Sequence, residues 1–272
     1  MNPNDQKYAE ALQRLLGVMN DLREKCPWDR KQTLESLRHL TIEETYELSE
    51  AILENDLEEV KKELGDLLLH IVFYSKIASE KEAFDIADVM NTLCDKLIAR
   101  HPHVYGEVSV KNDAEVKRNW ELLKLKEKGG NKSVLAGVPK ALPALIKAMR
   151  IQDKARGVGF DWQVKEEVWE KVKEEIEEFQ NCFEVGNPIP IDQEEAENEF
   201  GDVLFSLVNY ARFVDINPET ALEKTNQKFI KRFNYIEAAS KRDGKTWQTL
   251  TLAEMDAYWD EAKKQTTAKA VV

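Results

Sequence analysis

The chain has 272 residues, 42% of them hydrophobic and 33% charged, with a formal net charge of −12. This is enough apolar content for a core, and the charge density suits amphipathic helices better than a disordered chain. The acidic balance argues against binding DNA or RNA as polymers, whose phosphates need basic surfaces, and no stretch is long and apolar enough to read as a membrane span. Cys26, Cys94 and Cys182 are odd in number and widely separated, without a CxxC spacing. They read as reduced thiols, and the expectation is a soluble, cytoplasmic protein.

From Tyr8 to Lys25, apolar residues at Leu12, Leu15, Leu16, Met19 and Leu22 follow a helical period. Cys26-Pro27-Trp28-Asp29 interrupts it, because proline disfavours helix in its predecessor. A second helix is expected from about Thr33 to Leu53, carrying Glu43, Glu44 and Glu47. Asn55-Asp56 is a cap signal for a third, which holds Glu63 and Asp66 and continues to about Ala78. Asp85 is placed to cap a fourth, through Lys96 and Arg100 to His101-Pro102. A charged helix is expected over 113–128, followed by a linker at Gly129-Gly130-Asn131-Lys132-Ser133.

The second half repeats this order. Leu142 to Lys154 reads as helix, Gly157 to Trp162 as a turn in the place of Cys-Pro-Trp-Asp, and Lys165 to Glu184 as a helix with Glu174, Glu175 and Glu178. Pro188 and Pro190 mark a loop. Next comes an oily helix that opens with Glu199-Phe200-Gly201-Asp202, and this stretch aligns without a gap on Glu63-Leu64-Gly65-Asp66. Asn217-Pro218-Glu219 combines a cap, a proline in the first position and an early acid. The helix it starts carries Lys228 and Arg232, and a last helix over about Leu252 to Lys264 includes Trp259. No alternating β pattern of useful length occurs. The reading is all-α, with two tandem modules at 1–128 and 139–272 joined by a linker at 129–138.

Each half has Glu-Glu-x-x-Glu on one helix and Glu-x-x-Asp on the next. Acids three residues apart share a helix face. If the helices are antiparallel neighbours, Glu175, Glu178, Glu199 and Asp202 converge, with Glu44, Glu47, Glu63 and Asp66 as the paralogous set. Carboxylates at the edge of an apolar interior repel one another and need protons, basic partners or a cation. Oxygen ligands of this kind suit Mg²⁺, which keeps several waters and shares itself with phosphates. Lys228 and Arg232, four apart, share a face that can grip phosphate oxygens. One Glu-Glu-x-x-Glu by itself reads as a solvated face, Lys228 and Arg232 by themselves as surface charges and Trp259 by itself as a core residue, whereas Glu-x-x-Asp sits on an apolar helix. Recurrence of the ordered set favours function. The glycine fixed between the acids costs about 1 kcal/mol in a helix interior, which suggests a close backbone approach there.

The sequence resembles the MazG family of nucleoside triphosphate pyrophosphohydrolases, within the all-α NTP pyrophosphatase superfamily. The resemblance rests on Cys26-Pro27-Trp28-Asp29, Glu43-Glu44-Thr45-Tyr46-Glu47, Glu63-Leu64-Gly65-Asp66, His101-Pro102-His103-Val104-Tyr105-Gly106, Val158-Gly159-Phe160-Asp161-Trp162, Glu174-Glu175-Ile176-Glu177-Glu178, Glu199-Phe200-Gly201-Asp202 and Lys228-Phe229-Ile230-Lys231-Arg232-Phe233. It implies cleavage of an NTP between the α and β phosphates to NMP and pyrophosphate, with Mg²⁺, or Mn²⁺ in its place. It also implies a homodimer whose helices pack into bundles across the subunits, with the C-terminal module catalytic. By the same resemblance Glu175, Glu178, Glu199 and Asp202 are metal ligands, and Lys171, Glu175, Asp202, Lys228, Arg232 and Trp259 contact nucleotide. In the mechanism this suggests, Glu174 or Glu175 accepts the proton of the attacking water, and Lys228 and Arg232 steady the departing pyrophosphate.

Two other readings compete. A di-iron carboxylate bundle needs Glu-x-x-His, but the residues three before His39, His70, His101 and His103 are Ser36, Leu67, Ile98 and Arg100. A nucleotide-sensing or partner-binding regulator built on a decayed hydrolase is the other, and the N-terminal half suits it best.

Overall fold

The computed structural model describes residues 3–112, 133–268 and, between them, Glu115, Val116, Asn119, Trp120 and Leu123. Most of the charged helix expected at 113–128, and the linker at 129–132, lie outside the described residues. Among the described residues the protein is helical without a strand, apart from one isolated bridge. The chain divides into two compact units, Met1–Val110 and Lys111–Val272.

The first unit contains α1 (Pro3–Lys25), α2 (Leu34–Glu54), α3 (Leu57–Ser79), α4 (Ile86–Arg100) and a one-turn α5 (Pro102–Tyr105). Its core joins Met19 of α1, Leu37 of α2 and Val72, Phe73 and Ile77 of α3. Burial of such side chains stabilises by roughly 1.5–3 kcal/mol each, so this cluster fixes how the three helices pack. The starts of the helices follow from their caps. Thr33 and Ser36 form a reciprocal capping box, Asp56 accepts from the backbone of Glu58 and Glu59, and Asp85 pairs with Asp88 in a second box. Asn55, in the left-handed region at φ 57°, turns the chain so sharply that only Asn55 and Asp56 separate α2 from α3. Cys26-Pro27-Trp28 ends α1 as expected, and the Arg23 side chain holds the turn by donating to the carbonyls of Asp29 and Gln32.

The second unit contains α6 (Ala144–Gly157), α7 (Lys165–Asn181), α8 (Gln193–Phe213), α9 (Pro218–Arg242) and α10 (Leu252–Ala268). Gln152 of α6 donates to the carbonyl of Phe205 at 2.8 Å, tying α6 to α8. α9 and α10 close a second core of Ile236, Ala239, Leu250 and Tyr258. Asn217 and Pro218 start α9 as their chemistry predicts. The helix expected to reach Glu184 stops at Asn181, because Phe183 pairs with Pro190 and the Ile191 N–H donates to the Cys182 carbonyl at 2.8 Å. The segment between α7 and α8 is therefore a folded-back loop whose tip, at Gly186 (φ 81°), lies beside fully exposed Val185.

Among the described residues of the chain, the close backbone approach suggested at the recurrent glycines is not present. A Cβ placed on Gly65 or Gly201 would meet no atom within 4 Å. Around Gly201, large exposed side chains at Phe200, Leu204 and Phe205 line α8 instead.

Candidate active site

α7 and α8 run antiparallel. Trp169 meets Tyr210, Phe179 meets Phe200 and Phe183 meets Pro190, so the partner number falls as the first rises. On α7 the buried residues Val168, Val172 and Glu175 recur at i, i+4 and i+7. On α8, Glu199 lies on the buried stripe between Ala196 and Val203. The two apolar stripes pack, and each delivers one carboxylate to the seam. Glu178, one turn beyond Glu175, completes the group: Glu175, Glu178 and Glu199 each offer a carboxylate oxygen, all within 4.8 Å of one another. Burial raises the Glu178 carboxyl above its ordinary range, and its hydrogen bond with Glu175 and the charges of Glu175 and Glu199 add to the effect against the pull of Lys171.

Asp202 does not join this close group. It is exposed one turn further along α8. Lys171 lies over the acids, its Nζ 2.7 Å from Glu174 and 2.8 Å from Glu175. These hydrogen bonds push the lysine well above its usual range.

The other expected residues lie on α9 and α10. Arg232 places its guanidinium carbon 5.5 Å from the centroid of Trp259, and its Nε is buried without a hydrogen-bond partner. Lys228, one turn earlier, is exposed. α9 packs chiefly on α10, with a smaller contact to α6, rather than on the α7–α8 pair. Arg232 and Trp259 are thus brought together, but within one chain the helix that carries Lys228 and Arg232 is not packed on the acids.

The first unit builds a related seam. Thr41 of α2 meets His70 and Tyr74 of α3, while Glu44 and Glu47 meet Glu63, so these helices are also antiparallel. Glu44, Glu47 and Glu63 lie within 4.8 Å by one oxygen each. Burial raises the Glu63 carboxyl, helped by the charge of Glu47 and a hydrogen bond with Glu59. Burial raises Glu44 too, followed by the charges of Asp66 and Glu47. Glu63 is 6% exposed, and its Oε2 has no hydrogen-bond partner.

Several contacts escaped the sequence reading. His70 Nδ1 and the Thr41 hydroxyl are 2.8 Å apart behind the first acid group; the signal was its seven-residue spacing from Glu63, which puts both on one face. Arg212 clasps Asp161, and Arg23 binds Glu80 at 2.6 Å. Neither pair has a local spacing that announces it.

Oxygen donors alone, gathered at a half-buried seam with one buried carboxylate oxygen unpartnered in the first unit, fit a hard divalent cation. The domain family described as MazG nucleotide pyrophosphohydrolase matches twice, over residues 32–105 and 163–236. The chain is 45% identical over 254 residues to the nucleoside triphosphate pyrophosphohydrolase/pyrophosphatase MazG of Thermotoga maritima, covering 92% of this chain and 95% of that protein. It is 39% identical to the nucleoside triphosphate pyrophosphohydrolase of Escherichia coli, covering 93% of this chain and 97% of that one. A Bacillus subtilis protein named only as uncharacterized protein YabN is 46% identical over 240 residues, 48% of its own length. Both acid seams fall inside the matched segments, and the chain belongs to the MazG family of nucleotide pyrophosphohydrolases.

Proposed function

We propose that the protein is a Mg²⁺-dependent nucleoside triphosphate pyrophosphohydrolase, cutting NTP or dNTP to the monophosphate and pyrophosphate in the cytoplasm. The observation that carries this is the meeting of Glu175, Glu178 and Glu199 within 4.8 Å at the α7–α8 seam. These three, with Asp202 at the edge, are the residues to hold Mg²⁺ or Mn²⁺. When bound, the cation supplies charge neutralisation for the triphosphate and an acidified water. A water oxygen bonds to the α-phosphorus, the bond from that phosphorus to the bridging oxygen breaks, and pyrophosphate leaves with the bridging oxygen. In this reading Glu174, exposed on the same helix, takes the water's proton, since Glu175 would be committed to the cation. Lys228 and Arg232 then balance charge on the departing pyrophosphate, and Trp259, already beneath Arg232, supplies an aromatic surface.

The same reading includes a homodimer. Phe200, Leu204 and Phe205 on α8, and Phe229, Ile230 and Phe233 on α9, leave apolar surface uncovered beside the acids and beside the cations. Packing of two chains through these helices would bring the α9 cations to the carboxylates, which one chain does not do. The modules are taken as 1–128 and 139–272 with a linker at 129–138, and Glu44, Glu47, Glu63 and Asp66 as a second cation site. One observation favours a regulatory role for the first module: Leu40 stands where the second has Lys171, in the alignment of Glu44 with Glu175.

The test is product analysis with Mg²⁺ across NTPs and dNTPs. Monophosphate and pyrophosphate are expected; diphosphate and orthophosphate would mean that another bond is cut.

A further inference from the structure

We propose that Lys171 is a built-in counter-ion of the C-terminal acid cluster, which a divalent cation must displace, and that this makes cation binding depend on nucleotide. The inference rests on the reading of Glu175, Glu178 and Glu199 as cation ligands, and concerns what occupies them beforehand.

One difference between the two acid groups bears on cation binding. In the C-terminal group a lysine of the same helix reaches the seam, with Nζ 2.8 Å from Glu175 and 2.7 Å from Glu174. Glu175 is 8% exposed, so one of the ligand carboxylates already has a cation in a shielded position. In the N-terminal group the equivalent position is Leu40, which carries no charge. There Glu63 keeps a buried carboxylate oxygen without a hydrogen-bond partner. One seam thus carries a lysine counter-ion on a ligand carboxylate, and the other has a leucine in its place.

A divalent cation entering the C-terminal seam must take Glu175 from Lys171. The ammonium cannot stay beside a dication, so it must turn outward on its flexible stem. Without nucleotide it turns into water, and cation binding bears the loss of the ion pair. With nucleotide it meets the triphosphate, and the loss is offset. The lysine therefore couples the two ligands: each strengthens the other by the same factor. A seam of this kind stays uncommitted in free Mg²⁺ and takes the cation with its substrate. The N-terminal seam, lacking the lysine, takes a cation independently of nucleotide.

Mn²⁺ binding to the full chain, followed by electron paramagnetic resonance with and without an NTP analogue whose α–β bridging oxygen is replaced by a methylene group, tests this. A Glu63→Gln background silences the first seam, so the remaining Glu199-dependent Mn²⁺ reports the second. Lys171→Leu, and Lys171→Met as an independent variant, should tighten nucleotide-free Mn²⁺ binding by about tenfold or more, given the strength of an ion pair at a half-exposed site. Both should also shrink the ratio of Mn²⁺ affinities with and without analogue. Unchanged or weaker nucleotide-free binding in both variants would overturn the proposal while leaving the metal-site reading intact. Absence of any Mn²⁺ signal that Glu199→Gln removes, with or without analogue, would overturn both.

Discussion

Arg212 grips Asp161 through two parallel hydrogen bonds, Nη1 to Oδ2 at 2.9 Å and Nη2 to Oδ1 at 2.5 Å, across 51 positions of sequence. The side chains are 16% and 21% exposed, so the pair is shielded enough to matter. It pins the turn before α7 to the last turn of α8, and thereby sets how the two helices enter and leave the acid seam. Asp161→Ala should cost about 1–3 kcal/mol in urea unfolding, because it leaves the shielded guanidinium without its counter-ion and with the neutral Asn209 Oδ1 as acceptor. Arg212→Ala should cost a similar amount, and the double variant less than the sum. Strict additivity would show that the pair is not a unit.

The carboxylates of the α7–α8 seam are opposed in their effects. Glu199→Gln and Glu178→Gln should each lower kcat/KM at least about 100-fold if they hold the cation that carries the reaction. The same variants should unfold at a higher temperature than the parent when no divalent cation is present, because a repelling charge has been removed. Calorimetry in chelator and kinetics in Mg²⁺ read the two effects separately. Loss of stability in chelator would contradict the repulsion.

Glu254 gives a pH dependence remote from the site. Its bond to Lys245 at 2.6 Å, and two bonds from Thr251, hold its carboxyl down at about 2, against 4.5 for the free side chain. A depressed carboxylate contributes stability above its unfolded pKa and loses it as pH falls through the folded value. The contribution is therefore present above about pH 4.5 and fades towards pH 2. Glu254→Gln should flatten the loss of stability across that window. An unchanged acid limb would show that Lys245 and Glu254 do not hold each other in solution.

Charge placed on the uncovered face of α8 tests the dimer. Phe200→Lys and Leu204→Lys add no buried charge within one chain, since both positions are exposed at 48% and 47%. Their helical content should match the parent by circular dichroism, while light scattering shows the mass halved and turnover falls with it. A parent that is already a monomer would overturn the dimer, and variants that stay dimeric would place its interface elsewhere.

The helices were legible because the local chemistry is self-sufficient. Asp56, Asp85 and Asn217 cap where their sequence context says they should, and the stripes Val168-Val172-Glu175 and Ala196-Glu199-Val203 follow from spacing alone. The meeting of Glu175 with Glu199 then needed only the assumption that the helices are antiparallel. Lys171 was read as a nucleotide contact, although its three- and four-residue spacing to Glu174 and Glu175 already announced the ion pairs. Asp161 with Arg212 depends on tertiary packing and carries no periodic signal, whereas His70 is announced only by its seven-residue spacing from Glu63. The close backbone approach that Gly65 and Gly201 suggest is not met among the described residues of one chain.

The unequal connections within the two helix pairs have a practical consequence for anyone redesigning the protein. Asn55 and Asp56 serve at once as the end of α2 and the start of α3, so added residues there have no room and would throw Glu63 out of register with Glu44. The exposed tip at Val185 and Gly186 has its ends already tied by Cys182, Pro190 and Ile191. It is the natural port for an inserted peptide tag or reporter, which would leave α7 and α8 in step.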